Sequence, residues 1–472
     1  MITDTLSTGS LRSQFNELKH SFEDTPYLPI EQRLALLKQV RANIVTLEQD
    51  LIAAVSKDFG YRTAFDTLVG DILPTMQGLA HIIKKLPRWS KPSHRSAGLS
   101  LWPSKVSVTY QPIGVVGVIA PWNYPIQLAI VPVITAIAAG NRVMLKLSEF
   151  TPNTNAVLEK VFAGELSQHC TIIQGGSEVA SEFSSLPFAH LLFTGSTGVG
   201  KLVMKAASKN LTPVTLELGG KSPVIITEQA DIKKAAHALL FGKMANAGQI
   251  CVAPDYVFVP KTLESQLIKQ LCELYKKHFK QGVEGKNLTS IISDSHYARL
   301  SEYLVQAQAL GANVIKPLEQ NQQDADKHRM GLHLVTNVTD DMQLMQDELF
   351  GPILPLKSYG KLEEVLDYIK QHPNPLALYI LGQDKQAQEY IIKQTLSGTV
   401  AVNDTLVQVT ADDAPFGGVG HSGMGHYHGK EGFLTFSHAK NTLVSGSFNP
   451  RIGLLLKQSK LLTKLLKWLY IK

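Results

Sequence analysis

The segment VVGVIAPWNYPIQLAIVPVITAIAAG, residues 115–140, contains no charged residue. Its length would suit a membrane-spanning helix. Three prolines, Asn123 and Gln127 interrupt it, however, and a helix facing lipid could not satisfy the backbone hydrogen bonds that prolines break. A buried strand over Val115–Ile119, a loop over Pro121–Pro125 and then a buried helix agree better with this pattern. The segment therefore predicts the interior of an α/β fold.

From this segment onward, strand-like runs alternate with helix-like runs, which is typical of parallel, doubly wound sheets. The alternation starts again after Glu217, so we predict two α/β domains. Two helical patterns, over Pro29–Lys57 and Asp71–Leu86, come before any sheet. The passage Pro87–Ser104, rich in Pro, Ser and Gly, is expected to break regular structure. The strand-like residues 106–110 should pair with a segment much later in the chain.

Composition narrows the classes of function. The chain has 472 residues, 44% of them hydrophobic and 18% charged, which is typical of a soluble globular protein of two or three domains. The six basic residues of segment 446–472, which has no acidic residue, account for the whole net charge of +6, so we expect no nucleic-acid binding. Three scattered cysteines indicate a reducing, cytoplasmic compartment. Residues 1–13 show no secretory signal.

Two residues are candidates for covalent chemistry. Cys251 follows the small, irregular run Ala245–Gly248, whereas the other two cysteines lie in an apolar strand pattern and a helical pattern. Glu217 ends an apolar run, a position where loops often carry functional groups. We expect Cys251 to form a covalent intermediate and Glu217 to activate the water that breaks it. A small buried cysteine and a salt-bridged glutamate are the alternatives.

Asn123 lies in a loop too apolar to be ordinary surface. Its amide could donate to a developing oxyanion together with the backbone N–H of Cys251. The alternative is a buried asparagine that is bonded to the backbone.

Three other stretches could bind a nucleotide cofactor. Residues 193–200 follow a strand and precede a helix, so their small side chains could bring a helix N-terminus close to a phosphate. Lys146 and Glu149 end another strand and could hold ribose hydroxyls, with Glu149 favouring a free 2′-hydroxyl, or could form a solvated strand end. Glu348 and Phe350 could contact a cofactor or cap a turn.

Two tempting patterns are set aside. Gly418, Gly420 and Gly423 match G-x-G-x-x-G, but no strand precedes them, so a loop is predicted there instead of a dinucleotide site. Three histidines, at 421, 426 and 428, have no acids or thiols at ligand spacing, so no metal site is expected.

Seven motifs occur in order across nearly the whole chain. They are Pro121-Trp122-Asn123, Lys146-x-Ser148-Glu149, Phe193-Thr194-Gly195-Ser196, Glu217-Leu218-Gly219-Gly220-Lys221-Ser222-Pro223, Gly248-Gln249-x-Cys251, Glu348-x-Phe350-Gly351-Pro352 and Pro415-Phe416-Gly417-Gly418. Together they resemble the aldehyde dehydrogenase superfamily. The short chain and the ending Tyr427-His428-Gly429-Lys430-Glu431-Gly432-Phe433-x-Thr435-Phe436-Ser437-His438 resemble its class 3 branch and, within it, the bacterial coniferyl aldehyde dehydrogenases.

The resemblance implies NAD(P)-dependent oxidation of an aldehyde to the carboxylic acid through a thiohemiacetal and a thioester on Cys251. Coniferyl aldehyde, another aromatic aldehyde or a medium- to long-chain aliphatic one would be the substrate. Glu217 would activate water, and Asn123 would hold the oxyanion. NAD, or NADP, would be held by eleven residues, namely Trp122, Lys146, Ser148, Glu149, Gly195, Ser196, Val199, Leu218, Gly219, Glu348 and Phe350.

The resemblance also implies a homodimer and a division of the chain into four parts. The parts are a Rossmann-like cofactor domain (residues 1–86 and 111–217), an α/β catalytic domain (218–397), a small β bridging or oligomerisation element (87–110 and 398–445) and a tail (446–472). One departure from the family pattern is Phe436-Ser437-His438-Ala439-Lys440, which lacks the second glutamate that relays protons in some branches.

The tail has the pattern of one basic amphipathic helix from Leu454 onward, with leucines and Trp468 on one face and lysines on the other. We expect residues 454–472 to lie on an anionic membrane surface, at the inner face of the membrane, with docking on the protein itself or its dimer mate as the alternative. Two rival functions remain. They are a CoA-acylating relative, which would not need Glu217, and a non-catalytic membrane-associated scaffold, which would not need Cys251.

Overall fold

The computed structural model describes residues 8–471. Residues 1–7, part of the stretch without a predicted export signal, and Lys472 of the tail lie outside them. The helices are α1 (Thr8–Asp24), α2 (Ile30–Thr46), α3 (Glu48–Asp58), α4 (Ala64–Thr67), α5 (Leu73–Trp89), α6 (Gln127–Ala138), α7 (Pro152–Val161), α8 (Ser177–Ser184), α9 (Thr197–Ala207), α10 (Ile232–Met244), α11 (Glu264–His278), α12 (Asp294–Ala309), α13 (Gln343–Gln346), α14 (Leu362–Gln371), α15 (Lys385–Gln394), α16 (Gly429–Thr435), α17 (Pro450–Leu456) and α18 (Lys460–Tyr470).

The strands form three main sheets and a two-stranded ribbon. They are β1 (Ser93–Arg95), β2 (Lys105–Pro112), β3 (Val115–Ile119), β4 (Arg142–Lys146), β5 (Cys170–Ile173), β6 (His190–Gly195), β7 (Val214–Leu218), β8 (Pro223–Ile226), β9 (Tyr256–Pro260), β10 (Asn313–Ile315), β11 (Gln323–Asp324), β12 (Arg329–Met330), β13 (His333–Thr336), β14 (Ile353–Tyr359), β15 (Ala377–Leu381), β16 (Thr399–Val402), β17 (Gly423–Met424) and β18 (Ser437–Val444).

The first sheet has the order β17-β7-β6-β3-β4-β5 and the second β10-β13-β14-β9-β8-β15-β16. Both sheets are parallel apart from one edge strand each, β17 and β10, which are antiparallel. The α/β prediction is confirmed, including the buried strand β3 and the buried helix α6 within the uncharged segment. The fully buried faces of these elements explain why the segment carries no charge.

The carboxyl ends of four neighbouring strands meet at one edge of the first sheet. Ile119 pairs with Lys146 on one side and with Phe193 on the other, and Gly195 pairs with Leu218. Ligands in open α/β sheets bind beyond the carboxyl ends of strands. This edge therefore collects the loops that the sequence singles out.

The third sheet has the order β1-β2-β18. Strand β2 pairs over its whole length with β18, from Lys105 opposite Val444 to Pro112 opposite Ser437, which confirms the expected late partner. The expectation of irregular structure over Pro87–Ser104 is wrong in part. Helix α5 continues through Pro87, which lies in its last turn, and β1 forms next to β2. The four-part division of the chain stays a prediction.

The start of the described chain holds more helices than the two predicted. Leu47 separates α2 from α3, where one helix was expected. Helix α1 was missed, although Leu11, Phe15 and Leu18 recur at helical spacing and are buried against the first sheet. Their amphipathic pattern was the signal available in the sequence.

The tail is two helices, α17 and α18, instead of the single helix predicted. Gln458 adopts a left-handed backbone with φ 43°, and the Ser459 side chain then caps α18 by accepting from the Leu462 N–H. Both helices have no buried residue. Across residues 8–471, no helix has the length and apolarity needed to cross a bilayer.

Candidate active site

Cys251 follows a tight turn in left-handed backbone conformation. Asn246, Ala247 and Gly248 have φ of 49°, 52° and 73°. Non-glycine residues adopt this conformation at a cost of ~1 kcal/mol or more each, so the surrounding structure must hold the turn. At Gly248 a Cβ would also lie 2.5 Å from the carbonyl oxygen of Gly351. Backbone strain next to a candidate nucleophile is typical of functional sites.

Gln249 holds this turn from inside. It is fully buried, and its Nε2 donates to the carbonyl oxygens of Asn246 and Ser290, each at 3.0 Å. Its Oε1 accepts from the backbone N–H of Ile292 at 3.0 Å. Because these bonds reach segments that are distant in the chain, the position of Cys251 is fixed by residues 290–292 as well as by its own turn.

The thiol of Cys251 is half-buried and uncharged at neutral pH. Burial, together with the nearby carboxylates of Glu348 and Glu217, raises the pKa of this thiol to about 12. The backbone N–H groups of Cys251 and Val252 have the opposite, smaller effect and lower the pKa. The two N–H groups therefore face the sulfur. A thiolate nucleophile requires this local charge balance to change when substrate and cofactor are bound.

Asn123 lies in the loop between β3 and α6 and is buried. Its Nδ2 donates to the carbonyl oxygen of Gln249 at 3.1 Å, and its own carbonyl oxygen accepts from Arg62 at 2.8 Å and from Asn246 at 3.1 Å. The loop is thus fastened directly to the turn before Cys251. One amide hydrogen of Asn123 has no further bond within the described residues.

Glu217 is buried at the end of β7, opposite Gly423 of β17. Neither of its carboxylate oxygens has a hydrogen-bond partner within residues 8–471. Burial raises the pKa of this carboxyl well above its usual range. The alternative interpretation, in which Glu217 forms a salt bridge at the end of the strand, is therefore wrong. A buried, unpaired carboxyl with a raised pKa has the properties of a general base.

One cavity of about 380 Å³ brings together nine of the predicted residues. They are Trp122, Asn123, Gly195, Ser196, Glu217, Gly219, Cys251, Glu348 and Phe350. Sequence analysis missed five other residues that line it, namely Leu128, His296, Arg299, Tyr303 and Asp347. Arg299 donates to the carbonyl oxygens of Glu348 and Leu349 at 3.2 and 2.8 Å, and the His296 ring packs edge-on against Trp122 at 5.2 Å. His296, Arg299 and Tyr303 lie on α12, whose periodicity gave no sign of a site.

The close approach of Glu348 to Gly219 shows why a glycine is needed there. A Cβ on Gly219 would lie 2.1 Å from Glu348 Oε2. Burial raises the pKa of the Glu348 carboxyl to about 8, although the Gly220 N–H donates to this carboxyl and so acts to lower its pKa. A carboxyl facing the cavity from this position is a suitable acceptor for sugar hydroxyls, which fits a nucleotide cofactor.

Five predicted cofactor residues do not line this cavity: Lys146, Ser148, Glu149, Val199 and Leu218. Lys146 and Glu149 form an ion pair of 3.3 Å at the end of β4, next to β3. Val199 lies in the first turn of α9, where its N–H donates to the Ser196 side chain at 3.4 Å. Leu218 is buried against Gly200. Lys146, Glu149 and Val199 therefore lie along the same sheet edge, as an extended dinucleotide would require.

A second, mostly apolar cavity of about 150 Å³ meets the first at Cys251 and Leu128. Sequence analysis predicted no substrate contacts among its other residues. Its polar members include Gln127 and the buried His428, whose Nε2 has no partner among the described residues and whose pKa burial lowers to about 4.

The two patterns set aside in the sequence lie beside the site. Residues 418–423 form a loop whose end pairs with Glu217 through β17, in line with the loop prediction. Among residues 8–471, no group of three or more His, Cys, Asp or Glu is arranged to hold a metal ion.

Comparison with known proteins matches residues 11–442 to the model of the aldehyde dehydrogenase family. A probable coniferyl aldehyde dehydrogenase of Pseudomonas aeruginosa is 44% identical over 98% of this chain and 97% of its own length. A solved structure of Staphylococcus aureus AldH in a substrate-bound state is 37% identical, with a TM-score of 0.89 over 93% of this chain and 95% of that one. A Mycobacterium tuberculosis aldehyde dehydrogenase complexed with NAD+ is 23% identical, with a TM-score of 0.84 over 94% and 91%, and so supports the fold.

Proposed function

Because this chain belongs to the aldehyde dehydrogenase family, in its class 3-like branch, and is an NAD(P)-dependent oxidoreductase acting on aldehydes, we propose that Cys251, Glu217 and Asn123 carry the reaction. The observation that supports these roles most strongly is the place of Cys251. It lies where the apolar cavity meets the cavity that holds Glu217 and the candidate cofactor residues. A substrate carbonyl and a nucleotide can therefore each reach Cys251 from a cavity of their own.

In the first half of the proposed reaction, Cys251 gives its thiol proton to solvent and its Sγ bonds to the aldehyde carbon. The electrons of the carbonyl π bond move to the oxygen, which becomes an oxyanion. The free amide hydrogen of Asn123 and the N–H of Cys251 donate to that oxygen. Bound NAD or NADP supplies the hydride acceptor that the oxidation to a thioester requires.

In the second half, Glu217 takes a proton from water, whose oxygen bonds to the thioester carbon. The carbon–sulfur bond then breaks, which releases the carboxylic acid and restores Cys251. The unpaired oxygens of Glu217 support this role because no hydrogen bond from the described residues occupies them, which leaves them free to accept from water. With Phe436–Lys440 lacking a second glutamate, the proton leaves Glu217 by another route.

For the cofactor, we propose that Glu348 and Phe350 hold the nicotinamide ribose, Gly195 and Ser196 with Val199 the pyrophosphate, and Lys146 and Glu149 the adenosine ribose. Trp122, Ser148, Leu218 and Gly219 would complete the site. Glu149 supports a preference for NAD, since a carboxylate binds a 2′-hydroxyl and repels a 2′-phosphate. Glu149→Gln should raise the ratio of NADP to NAD activity, and an unchanged ratio would contradict this preference.

The substrate is proposed to be coniferyl aldehyde, another aromatic aldehyde or a medium- to long-chain aliphatic one. The apolar lining of the substrate-side cavity and the likeness to the Pseudomonas aeruginosa protein support this choice. The test is nicotinamide reduction with a panel of aromatic and aliphatic aldehydes, for the wild type, Cys251→Ala and Glu217→Gln. Full activity without the thiol would contradict the proposal. An acyl-CoA product in place of the acid would favour the CoA-acylating rival.

We also propose a homodimer in the cytoplasm. The open edge strand β16 and the exposed apolar residues of α9, among them Leu202 at 66% exposure and Met204 at 44%, support association between copies. Sedimentation equilibrium of the wild type and Leu202→Glu tests this. A monomeric wild type would contradict the dimer.

Contact of residues 454–472 with the inner face of the membrane remains part of the proposal. The exposed leucines and lysines of α17 and α18 support it. Sedimentation with phosphatidylglycerol vesicles, comparing the full chain with a version ending at Pro450, tests it. Equal binding by the two versions would contradict membrane contact and leave docking on the protein as the interpretation.

A further inference from the structure

The cavity on the substrate side of Cys251 is small and lies next to a larger one. The inner cavity has a volume of about 150 Å³, whereas ligand pockets usually have roughly 300–1,000 Å³. The outer cavity has a volume of about 490 Å³. Four residues line both, Phe65, Asp66, Phe241 and Ala245, so the two cavities adjoin along a boundary that these residues form.

Two aromatic side chains on this boundary are left in solvent. Phe65 is 67% exposed and Phe241 46% exposed. Beyond them, Leu240, Met244 and Phe279 form an apolar floor of the outer cavity. Apolar side chains that surround the mouth of a substrate cavity gain contact area when an apolar ligand covers them.

The far side of the outer cavity is polar. His237, His278 and Lys286 line it, and all three are exposed. Asp66, the acidic residue of this lining, lies on the boundary with the inner cavity, and its Oδ2 accepts from Thr289 Oγ1 at 2.6 Å. The apolar floor of the outer cavity is therefore bordered by polar side chains.

We propose that the outer cavity is a second substrate compartment, which binds the distal part of extended apolar aldehydes that are too long for the inner cavity. The inference rests on the proposed role of Cys251 and concerns substrate length. The chain of such an aldehyde passes between Phe65 and Phe241 and lies on the floor formed by Leu240, Met244 and Phe279. Once it reaches the polar side, further methylene groups remain in water.

This arrangement predicts a specific dependence on chain length. Burial of one methylene group corresponds to about a fourfold gain in binding. The value of kcat/KM for unbranched saturated aldehydes should therefore rise by up to about fourfold per added methylene while the chain crosses the outer cavity, and then stay level. Aldehydes are supplied below their critical micelle concentrations.

Two variants test the compartment itself. Phe241→Ala removes an aromatic side chain from the boundary between the cavities, and His237→Trp fills the outer cavity from an exposed helix position. For both, the ratio of kcat/KM for a long aldehyde to that for a short one should fall by about fourfold or more. Val305→Ala, which removes a 67% exposed side chain on α12, is the control and should keep the wild-type ratio.

The outcomes separate this inference from the proposed function. Values of kcat/KM that do not depend on chain length, or ratios in both variants equal to that of Val305→Ala, would overturn the second compartment alone. Failure of the wild type to oxidise any aldehyde, short or long, would overturn the proposed catalytic roles. A length dependence lost in both variants supports the compartment.

Discussion

The guanidinium group of Arg62 lies 3.6 Å from the carboxylate of Asp71, and both side chains are fully buried. Arg62 also donates to the carbonyl oxygen of Asn123 at 2.8 Å. Asp71 Oδ1 accepts from the backbone N–H groups of Ile126 and Gln127, at 3.1 and 2.7 Å, where α6 begins. The pair therefore fixes the middle and the C-terminal end of the loop that carries the proposed oxyanion donor.

Removal of one partner of this pair should destabilise the protein strongly. Arg62→Met leaves a buried carboxylate unpaired, and we expect the free energy of unfolding to fall by about 3–5 kcal/mol, with a lower kcat from a displaced Asn123. Lys393→Met is the control, because Lys393 and Glu389 lie at the same 3.6 Å but are 74% and 72% exposed. That change should stay within about 0.5 kcal/mol. Urea denaturation measures both, and equal effects would refute the positioning role.

The buried carboxyl of Asp71 also gives a pH dependence. Burial raises its pKa from 3.8 to about 6, so the folded protein holds this proton more tightly than the unfolded chain. Its contribution to stability is therefore present below about pH 4 and is lost as the pH rises through about 6. Asp71→Asn should remove this part of the stability profile, measured by urea denaturation between about pH 4 and 7. If the difference in the free energy of unfolding between wild type and variant stays constant over that pH range, the raised pKa of Asp71 would be contradicted.

Glu217 should control turnover through its ionisation. Since burial raises the pKa of this carboxyl, its basic form increases with pH, and hydrolysis of the thioester should speed up accordingly. Glu217→Gln should lower steady-state turnover by about 10²–10⁴-fold and abolish the rise of the turnover rate with pH. The first cycle of nicotinamide reduction should persist as a burst. Stopped-flow absorbance measures both phases. If the turnover rate of the variant still rises with pH, the rise belongs to the ionisation of another group.

The charge around Cys251 predicts its reactivity in the absence of ligands. After burial itself, the carboxylate of Glu348 is the largest influence that raises the thiol pKa. Glu348→Gln removes this negative charge, so the thiol pKa should fall and alkylation by iodoacetamide at about pH 9, above the pKa of Glu348 itself, should become faster. The exposed Glu389→Gln is the control and should leave the rate unchanged. Slower alkylation in Glu348→Gln would show that the carboxylate does not act on the thiol.

Gly219 tests the proposed ribose contact by steric means. A Cβ at this position would lie 2.1 Å from Glu348 Oε2 and would displace that carboxylate. Gly219→Ala should therefore raise the KM for the cofactor more than about tenfold, with a smaller change in the KM for the aldehyde. Gly446→Ala, where the added methyl group meets nothing within 4 Å, is the control. Equal cofactor KM values in the two variants would argue against Glu348 as a ribose ligand.

The spacing of apolar residues and the absence of charge in the sequence were sufficient to predict the α/β fold, because strand β3 and helix α6 are almost wholly buried and carry no charge. The pair Arg62 and Asp71 was not predictable, because two charged residues nine positions apart in a helical region usually lie in solvent. The left-handed turn at Asn246 and Ala247 was also hidden, because its strain is held by the bonds of Gln249 to distant segments.

The tail shows a different limit. Its helical periodicity is strong enough to predict helices, but the break at Gln458 depends on one backbone angle and on capping by Ser459. His296 and Arg299 were missed because they lie on α12, whose pattern is that of an ordinary surface helix. Their part in the site follows from the packing of α12 against the loop at Glu348, which is a tertiary relationship.

The central claim is that Cys251 carries an acyl group which Glu217 is needed to remove. The most direct test is rapid-quench mass spectrometry of Glu217→Gln mixed with NAD+ and an aldehyde that the wild type oxidises. We predict an added mass equal to the acyl group, at one per chain, on the peptide that contains Cys251. Reduction of NAD+ without any adduct, or an adduct on Cys170 or Cys272 instead, would contradict the mechanism.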